Sequence, residues 1–302
     1  MSYRNLQRLH YTTTSGLLGM FKDYTDEQAK IKLWATHYLY MNDPEEFKLG
    51  TKLCTEIIDQ IESELCIPME LRVKNFVEST PYIEALSDYR RTSVGQTICP
   101  YIISFSKAYD SLHMWDMYAS HGNGLALVFN YQKLLEAKLL AADCFYCNPV
   151  CDNVISCLSN KYKDAILEIY KDVDEEFPID VVKGSIEHGD YGSYYNRIHT
   201  IHTLVSGHIG IRIKNHSYSI EDEARIIVRK NDDTKLLFRD RKGVLLPYIE
   251  SPIPFDCVEH ILVGPTADFY RVRESILIFL DHKGVKNWNK NKIIQSMVPY
   301  RF

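Results

Sequence analysis

Runs of strand length lie near both ends of the chain, and longer segments with helical periodicity lie between them. Because these strands and helices do not alternate strictly, the pattern favours an α+β fold over a doubly wound parallel sheet. The strand-like runs are residues 9–12, 30–36, 98–106, 223–229, 235–238, 244–249 and 258–263. The last run ends at Gly264-Pro265, a pair of residues that is typical of a turn.

Helices are predicted where apolar residues recur every three or four positions. One such stripe lies in residues 50–66 and comprises Leu53, Ile57, Ile61 and Leu65. Ser15 is predicted to cap a short apolar helix at its N-terminus. Residues 158–210 are predicted to form a helical insertion with an acidic surface. No low-complexity linker or internal repeat marks a boundary, so residues 1–302 are expected to form one domain that contains this insertion.

The composition is that of an ordinary globular protein. The chain has 302 residues, of which 45% are hydrophobic and 25% are charged, so it can bury a large core. No apolar segment of signal-peptide or membrane-span length occurs, and we therefore expect a cytoplasmic protein without membrane contact. The net charge of -5 argues against a broad electrostatic surface for nucleic acid. Residues 88–93 and 238–243 remain as local basic loops.

Two groups of potential metal ligands occur in the chain. They are Cys144, Cys147, Cys151 and Cys157, and His199, His202 and His208. The cysteine spacing matches no standard zinc framework, and the histidines lack the glutamate of an HExxH motif. We therefore interpret the cysteines as core or surface thiols and the histidines as the surface of an amphipathic helix. No metal is expected.

The segment "HSYSIEDEARI" at residues 216–226 places Glu221 and Glu223 two positions apart in a stretch that resembles a strand. In an extended chain both carboxylates and Arg225 project from the same face. Two carboxylates so close are expected to raise each other's proton affinity, which Arg225 would moderate. The structural alternative is a solvated strand face, where removing both carboxylates would leave stability almost unchanged.

Several short motifs occur in a fixed order along the chain. They are "LHYT" at 9–12, "LW" at 33–34, "SFS" at 104–106, "MWDMY" at 114–118, "GNG" at 122–124, "EDEAR" at 221–225 and "ILVGP" at 261–265. In this order the sequence resembles the bacterial family called domain of unknown function twenty-nine seventy-one, over nearly the whole chain. That family is similar, more remotely, to the ADP-ribosyltransferase fold, which implies split, mainly antiparallel sheets with surrounding helices.

The resemblance to ADP-ribosyltransferases implies that NAD is the substrate and that Glu221 and Glu223, here called the acid pair, are catalytic. Cleavage of the bond between nicotinamide and ribose develops positive charge on the ribose, which a fixed carboxylate stabilises. By this resemblance Glu223 supplies that carboxylate, and Glu221 orients or deprotonates the acceptor. His10 on the first strand contacts the ribose or pyrophosphate, and Trp34 stacks on nicotinamide.

The ADP-ribosyltransferase fold carries three strand motifs, which are a His or Arg, a Tyr or Ser, and a final Glu. The resemblance leaves the middle motif open here, because no tyrosine is clearly placed on the second strand and the serines of "SFS" fit equally well. Trp115 and Tyr118 are spaced i and i+3 on a helix. They could bind the ligand or, as the structural alternative, pack in the core. Taken together, the residues that the resemblance implies for NAD binding are His10, Tyr11, Thr12, Trp34, Ser104, Ser106, Trp115, Tyr118 and Arg225.

The resemblance therefore predicts an ADP-ribosyltransferase that modifies a macromolecule, in the setting of a toxin or an anti-phage effector. Two alternatives stay open: an NAD glycohydrolase, and a pseudo-enzyme that binds a nucleotide or a protein without chemistry. The acceptor, protein or nucleic acid, is not specified by the sequence. An antitoxin or a defence-complex partner is also expected in this setting.

Overall fold

The computed structural model describes residues 6–41, 46–79, 100–148, 153–231, 233–241, 243–286 and 288–300. Four features singled out in the sequence fall wholly or partly outside this range. They are the basic loop at 88–93, the start of the run at 98–106, Cys151, and position 242 of the basic loop at 238–243.

The strands are numbered in chain order. They are β1 (Gln7–Thr12), β2 (Lys30–His37), β3 (Pro100–Ser106), β4 (Leu125–Asn130), β5 (Ala142–Asp143), β6 (Phe145–Cys147), β7 (Ile213–Asn215), β8 (Glu223–Arg229), β9 (Leu237–Arg241), β10 (Val244–Pro254), β11 (Val258–Val263) and β12 (Ile293–Gln295). The order along the main sheet is β12-β11-β4-β1-β3-β2-β10-β9, with β8 beside β3 and β5 beside β8. Its pairings are antiparallel except that of β11 with β12, and β6 and β7 form a separate parallel pair.

The main sheet branches at β3. On one edge, β3 pairs with β8 along its whole length, from Pro100–Arg229 to Ser106–Glu223. Its other edge pairs with β1 only at Leu9 and with β2 only at Thr36 and His37. Because β1 and β2 pair with opposite ends of β3, the β1-β4-β11-β12 part of the sheet separates from the β2-β10-β9 part.

The helices are α1 (Thr14–Met20), α2 (Glu46–Glu64), α3 (Val73–Ser79), α4 (Leu112–Tyr118), α5 (Tyr131–Glu136), α6 (Val154–Glu176), α7 (Ile179–Glu187), α8 (Gly192–His208) and α9 (Phe269–His282). Together with the mostly antiparallel sheet they agree with the predicted α+β class. Among the described residues, no helix has the length and apolar character needed to cross a membrane.

Two large hydrophobic cores account for most of these elements, and a smaller cluster packs α4 against β1 and β4. The first lies against the main sheet, where β2 alternates buried Ile31, Leu33 and Ala35 with more exposed neighbours, as a strand with one covered face does. The second joins α2, α3, α6, α7 and α8 with residues of β6 and β7. Residues 158–210 are therefore helical as predicted, but the helical unit begins at Val154 and also includes α2 and α3.

Several local predictions were wrong by small amounts. The N-cap of α1 is Thr13, whose side chain accepts from the amide of Gly16, and Ser15 lies inside the helix. Leu65 lies beyond α2 and is exposed, whereas the other members of its predicted stripe are buried. The run at 235–238 pairs as β9, which extends from Leu237 to Arg241.

One carboxyl group lies within the helical core. Glu62 of α2 is buried, and its two oxygens accept from the Tyr170 hydroxyl at 2.8 Å and from the Val73 amide at 3.0 Å. Burial raises the pKa of Glu62 to about 7, and these hydrogen bonds oppose the rise only in part. The folded protein therefore retains this proton at pH values where the unfolded chain has lost it.

Glu62 should make the stability of the protein fall as the pH rises from about 4.5 to about 7, because the folded state binds the extra proton in that window. Glu62→Gln removes this titration and mimics the protonated carboxyl group. We expect the variant to match the parent near pH 4.5 and to exceed it at pH 8 by on the order of 2–4 kcal/mol. Urea unfolding at both pH values measures this, and equal pH dependence of the two proteins would contradict it.

Candidate active site

An open cavity lies beside the branch point of the sheet. Its walls come from β1, β3, α4, β7, β8 and the 3₁₀ helix His216–Glu221. The lining residues are Leu9, His10, Tyr11, Met41, Ser104, Phe105, Ser106, Met114, Tyr118, Lys214, Tyr218, Glu221, Glu223 and Arg225. These residues are spread over more than two hundred positions of the chain, and only the fold brings them together.

The two glutamates of the acid pair do not lie on one continuous strand. Glu221 ends the 3₁₀ helix, Asp222 adopts a left-handed conformation with φ 41°, and β8 begins at Glu223. Asp and Asn tolerate this backbone region better than most residues do. The prediction of a strand through Glu221 is therefore wrong, although the corner still directs both carboxylates toward the same cation.

That cation is Lys214, which β7 supplies. Its Nζ donates to Glu221 Oε2 at 2.7 Å and to Glu223 Oε2 at 2.6 Å. Arg225 binds Glu223 from the other side, with Nε 2.8 Å from Oε1 and Nη2 2.9 Å from Oε2, and its Nη1 donates to the Ile211 carbonyl. All four charged side chains are buried.

This arrangement determines the ionisation of Glu223. Burial by itself would raise the pKa of Glu223, but the positive charges of Arg225 and Lys214 outweigh burial and lower the pKa to about 2. The expectation that the paired carboxylates raise each other's proton affinity is therefore wrong for Glu223. Lys214, which that expectation omitted, lies between the carboxylates and offsets their repulsion.

Neighbouring groups fix the backbone and side chains of the acid pair. The Ser106 hydroxyl donates to the Glu221 carbonyl at 2.6 Å, and the Glu223 amide donates to the Tyr146 hydroxyl at 2.6 Å. The Tyr118 hydroxyl donates to Glu221 Oε1 at 2.7 Å. The carboxylates are thus held in place by hydrogen bonds before any ligand binds.

His10 lines the cavity from β1 as a neutral imidazole. Its Nδ1 lies 3.0 Å from the Ser104 carbonyl oxygen, and because a carbonyl only accepts, Nδ1 carries the proton. Burial lowers the pKa of His10, and this outweighs the opposing hydrogen bond to Ser104. Nε2 is therefore an unprotonated acceptor on a half-buried ring, suited to a hydroxyl group of a ligand.

The structure brings most of the predicted site residues to this cavity. Those that line it are His10, Tyr11, Ser104, Ser106, Tyr118, Glu221, Glu223 and Arg225. Ser104 Oγ is buried and has no hydrogen-bond partner among the described residues. In contrast, the Tyr11 hydroxyl donates to the Ala108 carbonyl and accepts from the Ser111 amide, which indicates a structural role.

Three predicted binding residues do not line the cavity. Trp115 is fully buried beneath Tyr11, and its indole N–H donates to Asp110 at 2.7 Å, so it is a core residue. Thr12 lies against Gly16, where an added Cβ would meet its hydroxyl at 2.1 Å. Trp34 packs beside Tyr248, with a ring-centroid distance of 5.2 Å. The expectation that Trp34 and His10 line one cavity is therefore corrected.

Sequence reasoning missed two polar residues that complete the acid pair. Lys214 follows the segment IGIRI at residues 209–213, which already contains the charged Arg212, so no signal in the sequence singles Lys214 out. Tyr146 lies inside the CFYC segment that was considered for metal binding. Neither spacing nor parity relates these positions to Glu221 and Glu223, because the contacts come from separate strands.

Two of the ordered motifs have a structural explanation. The amide of Gly264 in "ILVGP" donates to the Gly124 carbonyl, and the amide of Thr266 donates to the Gly122 carbonyl. A Cβ at Gly264 would lie 2.1 Å from the Gly122 carbonyl oxygen, so side chains are excluded from this contact. The "GNG" and "ILVGP" segments therefore hold β4 and β11 together.

The groups considered as metal ligands are dispersed. Cys144 and Cys147 are buried, Cys157 is exposed, and His202 is buried against Thr55 rather than on a helix surface as predicted. Burial lowers the pKa of His202 to about 4. Within the described parts of the chain, no three His, Cys, Asp or Glu side chains are placed to hold a metal ion together.

A comparison with family models matches residues 114–226 to "Protein of unknown function (DUF2971)". Residues 114–226 belong to the DUF2971 family. The family predicted from the motif order is thus confirmed, over a match that runs from the "MWDMY" helix to the acid pair. The DUF2971 match excludes His10 and "SFS", which lie before it. Comparisons with curated proteins and with solved structures found no match.

Removing the charge of Glu223 should destabilise the fold, in contrast to the near-neutral effect expected for a solvated strand face. Glu223→Gln leaves Lys214 and Arg225 buried with one carboxylate fewer, and breaking a buried pair in this way costs about 3–5 kcal/mol. Adding Lys214→Met balances the lost negative charge by removing one of the two cations, and should recover part of the loss, because neighbouring charges couple by about 0.5–3 kcal/mol.

The pH dependence follows from the lowered pKa of Glu223. Its contribution is present above the unfolded value of about 4.5 and is lost as the pH falls toward about 2. Urea unfolding of the parent, Glu223→Gln, Lys214→Met and the double variant at pH 7 and pH 3 measures the four stabilities and the coupling between the two residues. Equal stabilities of Glu223→Gln and the parent at pH 7 would contradict the buried charge cluster.

Proposed function

We propose that this protein is an NAD-dependent ADP-ribosyltransferase that modifies a macromolecule. One observation carries the proposal: a histidine on β1, a serine on β3 and a glutamate at the start of β8 line one cavity at the branch point of an antiparallel sheet. His10, Ser104 and Glu223 occur in the order in which such transferases carry their three strand motifs. The ADP-ribosyltransferase-like form of the sheet is part of this proposal.

In the proposed reaction the bond between ribose C1′ and the nicotinamide nitrogen breaks, and its electron pair leaves with neutral nicotinamide. A nucleophile of the acceptor forms the new bond at C1′ and loses its proton, so ADP-ribosyl acceptor, nicotinamide and one proton result. Positive charge develops on the ribose during this step. A fixed anion near C1′ lowers the barrier because it stabilises the transition state more than the ground state.

Glu223 is the proposed anion. Its carboxylate is ionised at neutral pH, since its pKa is about 2. The two carboxylates, Lys214 and Arg225 have formal charges that sum to zero, so stabilisation depends on the position of the Glu223 oxygens and not on a net negative field. A ribose hydroxyl that donates to Glu223 would bring the sugar into that position.

Glu221 is the proposed base for the acceptor. Tyr118 and Lys214 hydrogen-bond one oxygen each, which holds the carboxylate at the cavity wall while each oxygen keeps further acceptor capacity. The Nε2 atom of His10 is the proposed acceptor for another ribose hydroxyl. Together these groups orient the sugar between Glu223 and the acceptor.

Two other functions make different use of the same cavity. In an NAD glycohydrolase, water would replace the acceptor and no macromolecule would be labelled. A non-catalytic nucleotide- or protein-binding module is favoured by one observation, namely that the four buried charges already satisfy one another without a ligand. The proposed setting is that of a cytoplasmic toxin or anti-phage effector, controlled by an antitoxin or a defence-complex partner.

Glu223→Gln should lower the turnover of NAD by about a hundredfold or more, because a group that acts in the transition state contributes about 2–4 kcal/mol. NAD binding should change much less. Nicotinamide release and NAD affinity are measured on folded protein, well below the melting temperature of the variant. Glu62→Gln is the matched control, because it also replaces a buried glutamate by its isostere but lies in the helical core.

The control variant should release nicotinamide at the parental rate. If Glu223→Gln turns over NAD as fast as the parent, Glu223 is not the transition-state anion. If both variants lose activity equally, the loss is not specific to Glu223, and the assignment of Glu223 as the transition-state anion fails. If the parent binds NAD but releases no nicotinamide with any acceptor, the binding module replaces the enzyme as the function.

A further inference from the structure

A second group of polar and aromatic side chains lies on the β2-β10-β9 part of the sheet, outside the lining of the cavity. Arg239 on β9 places its guanidinium carbon 5.2 Å from the ring centre of Trp34 and 5.7 Å from that of Tyr248. Arg239 Nη2 donates to the Thr36 hydroxyl at 2.8 Å. We call Trp34, Thr36, Arg239 and Tyr248 the Arg239 cluster.

The strand register explains why these side chains meet. Tyr248 pairs with Thr36 across β10 and β2, and Trp34 lies two residues from Thr36 on the same face. Arg239 pairs with Leu246, two residues from Tyr248, so it projects from that face as well. The opposite face of β2 carries the apolar core residues, so the Arg239 cluster is turned away from that core.

Arg239 lacks an anionic partner in the part of the chain that the structure describes. Among the described residues its one hydrogen bond goes to the neutral Thr36 hydroxyl, which leaves four of its five N–H donors without a described acceptor. Glu250, the carboxylate on the same face, already forms an ion pair with Lys32 at 2.9 Å. The half-buried guanidinium is therefore a preformed but uncompensated cation.

Two further observations favour an anionic ligand here. Burial lowers the pKa of Arg239, and the nearby charge of Arg241 lowers it further, so the surroundings of Arg239 favour an added negative charge. The indole N–H of Trp34 is buried without a partner among the described residues, although such groups are nearly always hydrogen-bonded. A bound anion would supply the negative charge that Arg239 lacks and an acceptor for the N–H of Trp34.

The Arg239 cluster also lies within electrostatic reach of the cavity. The positive charge of Arg239 contributes to the lowered pKa of His10, which forms part of the cavity wall. The strand register supports this proximity, because Thr36 of the Arg239 cluster pairs with Ile102 of β3, and Ser104 of the cavity lies two residues from Ile102 on the same face. A ligand in the cavity can therefore extend toward Arg239. Planar guanidinium groups bind phosphate through paired hydrogen bonds, and aromatic rings such as Tyr248 offer a surface on which a base can stack.

We propose that the Arg239 cluster binds the diphosphate of a nucleotide, with Arg239 as the main ligand of the phosphates. The identification of the ligand as a nucleotide diphosphate rests on the proposed function, since the acid pair and His10 do not contact the adenosine diphosphate half of NAD. This assigns the two ends of the substrate to different strands. The acid pair acts on the ribose next to nicotinamide, and Arg239 holds the diphosphate.

The test is calorimetric titration of the full chain with ADP, which lacks nicotinamide and its ribose. The parent should bind ADP, and Arg239→Met should weaken binding by about 10- to 100-fold, as expected for charge-assisted hydrogen bonds. Trp34→Phe keeps an aromatic ring but removes the indole N–H, and should give a smaller loss of ADP affinity. Arg239→Lys keeps the positive charge but lacks the planar guanidinium, so its affinity for ADP should lie between those of the parent and Arg239→Met.

Arg273→Met is the matched control. Arg273 also lies over two aromatic rings, Phe269 and Tyr270, but it is on the surface of α9 and is already paired with Glu274. This variant should bind ADP like the parent. If Arg239→Met does not fold, Arg239→Lys and Trp34→Phe replace it in the comparison.

Two results would overturn the proposal: no ADP binding by the parent at millimolar concentration, or parental affinity in Arg239→Met. An equal loss in Arg273→Met would also overturn it, because the effect would then not depend on the Arg239 cluster. Failure of the proposed function is distinguishable from these results. If ADP binding depends on Arg239 but the parent releases no nicotinamide from NAD, the binding site stands and the transferase does not.

Discussion

The Lys214 ammonium that lies between two buried carboxylates is the interaction on which the candidate site depends. Glu221 and Glu223 are both within 2.7 Å of Lys214 Nζ, and Arg225 completes the neutralisation of the group. Without these cations, burial would favour the protonated form of Glu223, which would be no anion. By keeping Glu223 ionised, Lys214 and Arg225 therefore preserve the carboxylate that the proposed reaction requires.

The sheet provides the frame for this cluster. Because β3 pairs with β8 along one edge and with β1 at a single residue pair, Leu9–Ser106, the cavity forms where backbone pairing stops. The left-handed corner at Asp222 then turns Glu221 toward the same cation as Glu223. The proposed diphosphate site uses the other branch, so a ligand that binds both would span the point where the strands part.

Much of the fold could be predicted from the sequence, because strand and helix periodicity are local properties. The run at 223–229 and the run at 258–263 agree with β8 and β11 to the residue. The sequence also predicted that Glu221 and Glu223 point the same way. The reason given for it, a continuous strand, was wrong, because Glu221 ends a 3₁₀ helix and β8 begins at Glu223. Lys214 and the separation of Trp34 from the cavity could not be predicted, because both depend on contacts between distant strands.

The proposed transfer of ADP-ribose from NAD can be tested by incubating the protein with NAD labelled in its adenylate half, together with separate pools of RNA, DNA and protein. We expect that nicotinamide is released and that the label becomes covalently attached to one of the three pools. Release of nicotinamide with label only in free ADP-ribose would identify a glycohydrolase. Intact NAD in every pool would rule out both reactions.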